Sequence, residues 1–156
     1  MSWRALRKSE HDAVASLITN LYEDDPAPTP MSRDMALSTL ARLDAEPLRG
    51  RAVVYDEGAG PVAYAILCAF WSNELGGEVC IIDELYAKPE ARDRGIATGL
   101  VRGLAAGQMP WFRDAVAVEL EVTPGNHRAR ELYQRLGFAP YKNTRMRLRR
   151  DAPPGA

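Results

Sequence analysis

Hydrophobic and polar positions along the chain repeat with two different periods, and each period predicts one type of element. Alternating or continuous apolar runs bounded by turn residues predict strands at residues 2–7, 51–56, 61–71, 78–87, 115–122 and 144–149. Apolar positions three and four residues apart predict helices at residues 32–43, 95–108 and 127–136. An earlier helix is predicted to begin at a cap on Ser9 and to be broken by the proline-rich run 23–30.

This order of elements predicts an α/β fold with a central sheet that is antiparallel at first and carries helices on both faces. The chain has 156 residues, which is the usual size of one domain. We therefore expect one domain over residues 1–150 and a disordered tail at 151–156.

Charge and composition narrow the class of partner. The 20 basic and 21 acidic residues give a net charge of −1, which lacks the basic surface expected of proteins that bind nucleic acid or anionic membranes. The apolar run 62–71 is too short to span a bilayer, and residues 1–10 do not resemble a signal peptide. We expect a soluble, cytoplasmic protein whose partner is a small molecule or a peptide.

Cysteine and histidine are sparse and scattered. The two cysteines lack Cys-x-x-Cys spacing, and the two histidines are far from any ligand pattern. We expect buried free thiols and no metal.

The stretch EARDRGIATGL, residues 90–100, predicts an anion site at the turn between a strand and a helix. The first backbone N–H groups of a helix lack partners within the helix and lie at the positive end of its dipole. Small residues, here Gly95 and Ala97, allow a phosphate to approach that backbone closely. The spacing matches neither a dinucleotide fingerprint nor a Gly-Lys-Ser/Thr phosphate loop.

A second motif, TPGNHRARELYQRLGF at residues 123–138, is a helix with two distinct stripes. The three-, four- and seven-residue spacing places Asn126, Arg130 and Tyr133 on one stripe, while Leu132 and Leu136 fall on another. One stripe suits the core, and the other is available for binding or chemistry.

An acidic pair, Asp83 and Glu84, interrupts the apolar strand 78–87. A charge buried without a partner is unfavourable, so carboxylates in such a strand indicate a functional role. Strand alternation predicts that the two side chains point to opposite faces, and a bulge at this point would exchange their roles.

Together these motifs resemble the GCN5-related N-acetyltransferases, abbreviated GNAT. Arg92, Gly95 and Ala97 match the family's acyl-CoA signature, and NHRARELYQRLGF matches its later helix. The order of the other elements also fits, so the resemblance covers nearly the whole chain.

The resemblance implies that the fourth and fifth strands splay apart and that acetyl-CoA is the co-substrate. It implies that the pyrophosphate lies on the amides of the turn, that the pantetheine arm pairs with the fourth strand, and that the backbone N–H near Leu85 polarises the thioester carbonyl. The implied cofactor-binding residues are Leu85, Tyr86, Ala87, Arg92, Arg94, Gly95, Ile96, Ala97, Thr98 and Asn126.

The resemblance also implies direct transfer of the acetyl group, without an acyl-enzyme. Asp83 is the first choice for the general base and Glu84 the second, and Tyr133 is the implied general acid for the departing thiolate. Many members carry a glutamate where Asp83 stands, so the shorter side chain favours proton transfer through a water.

The acceptor implied by the fold is a primary amine bound near the first two helices. Glu23, Asp24 and Asp25 are expected near the entrance of this acceptor site, and their negative charge favours a small cationic amine. A peptide or protein N-terminus, or a lysine, is the alternative acceptor, and a non-catalytic acyl-CoA-binding sensor is the alternative class. The basic run 145–150 is predicted to lie on an outer strand, near a possible homodimer edge.

Overall fold

Strands and helices follow one another in nearly the predicted order in the computed structural model, which describes residues 2–150. The predicted tail at 151–156 lies outside the described residues. The elements are β1 Ser2–Ala5, α1 His11–Asp24, α2 Arg33–Ala45, β2 Gly50–Asp56, β3 Pro61–Ser72, β4 Gly77–Ala87, α3 Ile96–Ala105, β5 Ala117–Leu120 and α4 His127–Arg135.

The strands form one sheet in the order β1-β2-β3-β4-β5. The first three pairings are antiparallel, and short turns join β2, β3 and β4. The β4–β5 pairing is parallel, because the chain crosses over through α3 before it returns to the sheet. The predicted mostly antiparallel α/β architecture is confirmed.

Helices cover both faces of this sheet, as predicted. The helix-pair core, between the sheet and α1 and α2, includes Val14, Leu17, Ile18, Leu40, Val54, Tyr64, Ile66 and Tyr86. The α3-side core, on the opposite face, includes Trp3, Val53, Ala65, Leu67, Cys80, Ile82, Ile96, Leu100 and Leu104. Successive residues of β2 and β3 alternate between the two cores, because side chains of a strand point to opposite faces in turn.

The start of α1 differs from the prediction. Residues Lys8–Glu10 form a short 3₁₀ turn, and α1 begins at His11 without the predicted side-chain cap on Ser9. Glu10 instead accepts a hydrogen bond from the backbone N–H of Arg7 at 3.0 Å and pairs with Arg4 at 2.6 Å. The carboxylate fixes this turn, so a serine cap is not needed.

The predicted strand at 144–149 is wrong, because this segment has no regular secondary structure in the described chain. Arg145 pairs with Glu121, and Arg149 donates to the Thr29 hydroxyl at 2.8 Å, while Met146 and Leu148 are each 91% exposed. Alternation indicates which side chains share a face, but a strand also needs a neighbour for its backbone groups. Here side chains, and not a backbone ladder, attach the segment.

Candidate active site

The fourth strand contains a β-bulge at the acidic pair. Glu84 lies opposite Ile66 and Ile82 lies opposite Leu67, so Asp83 is the extra residue on β4. Because the bulge interrupts the alternation, the prediction that Asp83 and Glu84 point to opposite faces is wrong. Both carboxylates reach the face that α1 and α2 cover, because Glu84 contacts Tyr22 of α1 and Asp83 lines a groove together with residues of α2.

The bulge coincides with the point where β4 and β5 separate. The parallel pairing runs from Val79 opposite Ala117 to Ile82 opposite Leu120 and ends there. From Glu84 to Ala87, β4 pairs with β3 but not with β5, so one edge of this stretch is open. The predicted splay of the fourth and fifth strands is confirmed.

The predicted cofactor residues of β4 lie on this open stretch. Leu85 and Ala87 pack against the α3-side core, whereas Tyr86 is buried on the opposite face. An extended ligand arm could add to this edge as a further strand, using the backbone groups that β5 leaves unpaired.

The turn before α3 exposes backbone, as predicted. Asp93 and Gly95 have positive φ angles of 61° and 76°, and α3 then begins at Ile96. The amides of Ile96, Ala97 and Thr98 are the first of the helix and have no partners within it. A Cβ at Gly95 would meet no atom within 4 Å, so the turn opens onto free space. These residues fit an anionic group at the helix N-terminus.

Two long-range contacts hold this turn in place, and the sequence offered no local pattern for either. The indole N–H of Trp3 donates to the carbonyl of Ile96 at 3.0 Å in a buried contact. Arg94 pairs with Glu57 at 2.6 Å. The partners lie far away in sequence, on β1 and after β2.

Arg92, the predicted signature arginine, ties β4 to α1. Its Nε donates to the carbonyl of Ala87 at 3.0 Å, its Nη2 pairs with Asp24 at 2.7 Å, and its guanidinium lies 5.4 Å from the ring centroid of Tyr86. The arginine therefore supports the end of the open stretch through three different contacts.

Glu84 accepts hydrogen bonds from two tyrosines. The hydroxyl of Tyr22 on α1 donates to one carboxylate oxygen at 2.7 Å, and that of Tyr64 on β3 donates to the other at 2.8 Å. Burial raises the pKa of Glu84, the two tyrosine donors oppose that rise, and the charge of Asp83 adds to it. No local sequence pattern predicts either tyrosine as a partner of Glu84, because both belong to other elements.

Asp83 opens into a groove of about 310 Å³ on the same face. Asp83 is an exposed residue at the edge of the groove. Partial desolvation of its carboxylate and the charge of Glu121 raise the pKa of Asp83, while Arg145 and Arg147 lower it. The other lining residues come from α2, β3 and the start of β2, namely Ser38, Thr39, Arg42, Leu43, Arg49, Ile66 and Cys68.

The acidic run at the end of α1 has partners of its own. Asp24 pairs with Arg92, and Asp25 accepts a hydrogen bond from the Thr123 hydroxyl at 2.9 Å, whereas Glu23 is exposed. The run therefore borders the turn and the loop before α4, and two of its three charges are engaged in polar contacts.

Tyr133 lies on the opposite side of the sheet from the carboxylates. It packs against the α3-side core together with Leu85 and Leu136, with its ring 5.6 Å from that of Phe138. The prediction that Tyr133 faces away from both leucines is wrong, because it shares its packing with Leu136. Burial raises the pKa of its phenol, so the hydroxyl keeps its proton at neutral pH.

Asn126 caps α4, with its side-chain oxygen accepting from the backbone N–H of Ala129 at 3.1 Å. Its predicted contact with the pantetheine arm stays a prediction. Within residues 2–150, no group of three or more acidic, cysteine or histidine side chains could hold a metal ion. None of the helices in this part of the chain has the length and apolar character needed to cross a membrane.

The splayed α/β sheet and the turn at the start of α3 agree with the fold that the resemblance to the GNAT family implies. Residues 15–138 match the model of the Acetyltransferase (GNAT) family, and the chain belongs to this family. Acetyl-CoA is the acyl donor that this family uses. No curated protein matches the chain.

Solved structures share the fold over almost the whole chain. A possible acetyltransferase from Clostridium difficile 630 has a TM-score of 0.81 at 20% identity, covering 95% of this chain and 96% of its own. An integron cassette protein from the mobile metagenome of Cole Harbour Salt Marsh has a TM-score of 0.79 at 21% identity, with coverage of 97% and 92%. A predicted acetyltransferase from Clostridium acetobutylicum, solved with acetyl-CoA, has a TM-score of 0.74 at 17% identity and covers 95% of each chain.

Proposed function

We propose that the protein is an N-acetyltransferase that transfers acetyl directly from acetyl-CoA to a primary amine of a small molecule. The observation that carries this proposal is the bulge at Asp83, located where β4 separates from β5. Asp83 and Glu84 lie on one side of that opening and Tyr133 lies on the other. An amine can therefore lose its proton on one side while a leaving group gains one on the other.

The donor side of the opening fits coenzyme A. The amides at the start of α3 and the free space at Gly95 suit its pyrophosphate, and the open edge from Leu85 to Ala87 suits its pantetheine arm. Bound acetyl-CoA supplies the acetyl group as a thioester, with the coenzyme thiolate as leaving group. A backbone N–H near Leu85 is our candidate donor to the carbonyl oxygen.

On the acceptor side, the carboxylates prepare the nucleophile. A primary amine is mostly an ammonium ion at neutral pH and must lose a proton before its lone pair can form the new C–N bond. Asp83 lines the groove and is our first choice to accept that proton through a water, with Glu84 as the second. Their raised pKa values make both carboxylates better proton acceptors than ordinary surface acids.

Tyr133 completes the proton balance. As the C–S bond breaks, its phenol donates a proton to the departing sulfur, which leaves as a free thiol. Burial beside Leu85 keeps the phenol protonated until then. As the C–N bond forms, the nitrogen loses a second proton to solvent. The tyrosine recovers its proton from solvent, and the first proton of the ammonium group leaves through the carboxylate, so each turnover releases one net proton.

The charge near the groove supports a small amine that arrives as a cation. Asp83, which lines the groove, and Glu84 beside it attract the ammonium group, and the volume of about 310 Å³ suits a small molecule better than a long peptide.

The test is release of thiol from acetyl-CoA in the presence of small amines and of peptides with free N-termini or lysines, with the acetylated product identified by mass spectrometry. We expect release with small amines. Release with peptides alone would move the acceptor to a protein terminus or lysine. Stabilisation by coenzyme A in a thermal melt, with no release on any amine, would support a non-catalytic acyl-CoA sensor.

A further inference from the structure

The groove beside Asp83 has a feature that attraction of a cation does not explain. Two of its lining residues are arginines: Arg42 from α2, and Arg49 from the loop before β2. Positive charge repels an ammonium group, so a site built only for amines gains nothing from it. A second group on the acceptor would explain these arginines.

Within residues 2–150, the hydrogen bonds of this pair go to a single carboxylate. Arg42 donates from Nη1 to one oxygen of Glu46, and Arg49 donates from Nε to the other oxygen at 2.6 Å. One carboxylate is thus shared between two guanidinium groups, each of which carries five N–H donors. The shared acid orients both arginines and leaves the pair with a net positive charge.

The C-terminal segment adds positive charge from another direction. Arg145 and Arg147 act on the carboxylate of Asp83, and Arg145 pairs with Glu121 next to the end of β5. Two arginines therefore line the groove, and two more from the C-terminal segment act on Asp83, its one acidic lining residue among those that the structure describes.

We propose that the acceptor carries a carboxylate besides its primary amine, and that Arg42 and Arg49 bind this carboxylate while Asp83 receives the amine. The acceptor class is then an amino acid or a similar small amino-carboxylate. Guanidinium groups match the geometry of a carboxylate through paired N–H donors, and such charge-assisted bonds are stronger than neutral ones. This inference rests on the proposed function, because it names the substrate of the same site.

The test compares pairs of acceptors that differ only in the anionic group. Alanine and alaninamide form one pair, and lysine and cadaverine form another. We expect the value of kcat/KM to be at least 10-fold higher for the acid of each pair. Equal values, or a preference for the acceptor that lacks a carboxylate, would overturn the inference while leaving the transferase itself in place.

Variants show whether the two arginines are responsible. In R42Q and R49Q the ratio of kcat/KM for alanine over alaninamide is expected to fall about 10-fold each, the size of one lost charge-assisted contact. R49K is expected to recover part of the ratio, because the charge returns without the planar fork. R33Q is the matched control. Arg33 lies on α2 like Arg42 and is ion-paired, but it does not line the groove. An equal loss in R33Q would overturn the assignment.

A binding measurement separates this inference from the proposed function. If no amine releases thiol, the proposed function fails, and thermal melts with coenzyme A plus alanine or alaninamide then decide the inference. A shift with alanine that R49Q abolishes would support the anion site on its own. The absence of any difference between alanine and alaninamide in those melts would overturn it.

Discussion

The turn before α3 and the groove beside Asp83 border the same opening, but the chain builds them in different ways. The turn is one continuous segment whose useful groups are backbone amides and an empty space at Gly95. The groove is assembled from side chains of α2, β3, β4 and the loop before β2. The proposed donor side is thus a local feature of the backbone, and the proposed acceptor side is a tertiary arrangement of side chains.

This difference indicates which substitutions each of the two sites, the turn and the groove, can tolerate. A backbone site tolerates new side chains as long as its φ angles and free space remain, so it suits a donor that never varies. A site made of side chains changes its ligand with each substitution, so it suits an acceptor that differs between relatives. Substitutions in the turn should therefore affect affinity for coenzyme A, and substitutions in the groove should affect turnover and choice of amine.

The largest expected effect is on the groove side of this comparison. D83N removes the proposed base, and general-base catalysis typically contributes 10²–10⁴-fold, so we expect kcat/KM to fall about 10³-fold. The affinity for coenzyme A, measured by calorimetry, should stay within about two-fold. E84Q is the matched variant on the next residue, and a larger loss in E84Q than in D83N would make Glu84 the base.

Tyr133 tests the other side of the opening. Y133F removes the proposed acid but keeps the ring that packs on Phe138, so we expect kcat to fall about 10²-fold with little change in melting temperature. Y141F is the control, because Tyr141 is 66% exposed. Unchanged activity in Y133F would remove the tyrosine from the mechanism. Binding of coenzyme A with no measurable turnover in the parent protein would favour a sensor.

The sequence predicts well those features that depend on residues close together in the chain. Gly95 and the helix after it lie within a few residues of one another, so their geometry follows from local rules of helix starts and glycine conformation. The strands at 51–56, 61–71 and 78–87 follow from their apolar pattern, and their boundaries differ from those observed by one residue.

The remaining features depend on contacts that no local pattern encodes. The bulge at Asp83 follows from how β3 and β4 pair, and it reverses the face predicted for one carboxylate. Tyr22 and Tyr64 reach Glu84 from 62 and 20 residues away. The residues at 144–149 alternate like a strand but lack a neighbouring backbone. In each case the deciding partner is distant in sequence.

A substitution at Gly95 tests the donor side directly. G95A places a Cβ in the free space before α3 at a φ of 76°, where a left-handed conformation costs about 1 kcal/mol. We expect a stability loss of that size and an affinity for coenzyme A about 10-fold weaker. G137A is the matched control, since Gly137 has a φ of 95° and equally open surroundings but lies after α4. It should lose similar stability and no affinity; an equal loss of affinity in both variants would indicate a general effect of strain.

The smallest expected effect is a shift in pH dependence, and it identifies the carboxylate that acts as base. The base must be ionised, so the acidic limb of kcat/KM follows its pKa. Glu121 raises the pKa of Asp83, so if Asp83 is the base, E121Q moves this limb to lower pH. Tyr22 lowers the pKa of Glu84 through its hydrogen bond, so if Glu84 is the base, Y22F moves the limb to higher pH.

We expect a shift of less than about one pH unit in E121Q and none in Y22F. The reverse result would transfer the role of base to Glu84 and leave Asp83 to bind the incoming ammonium group.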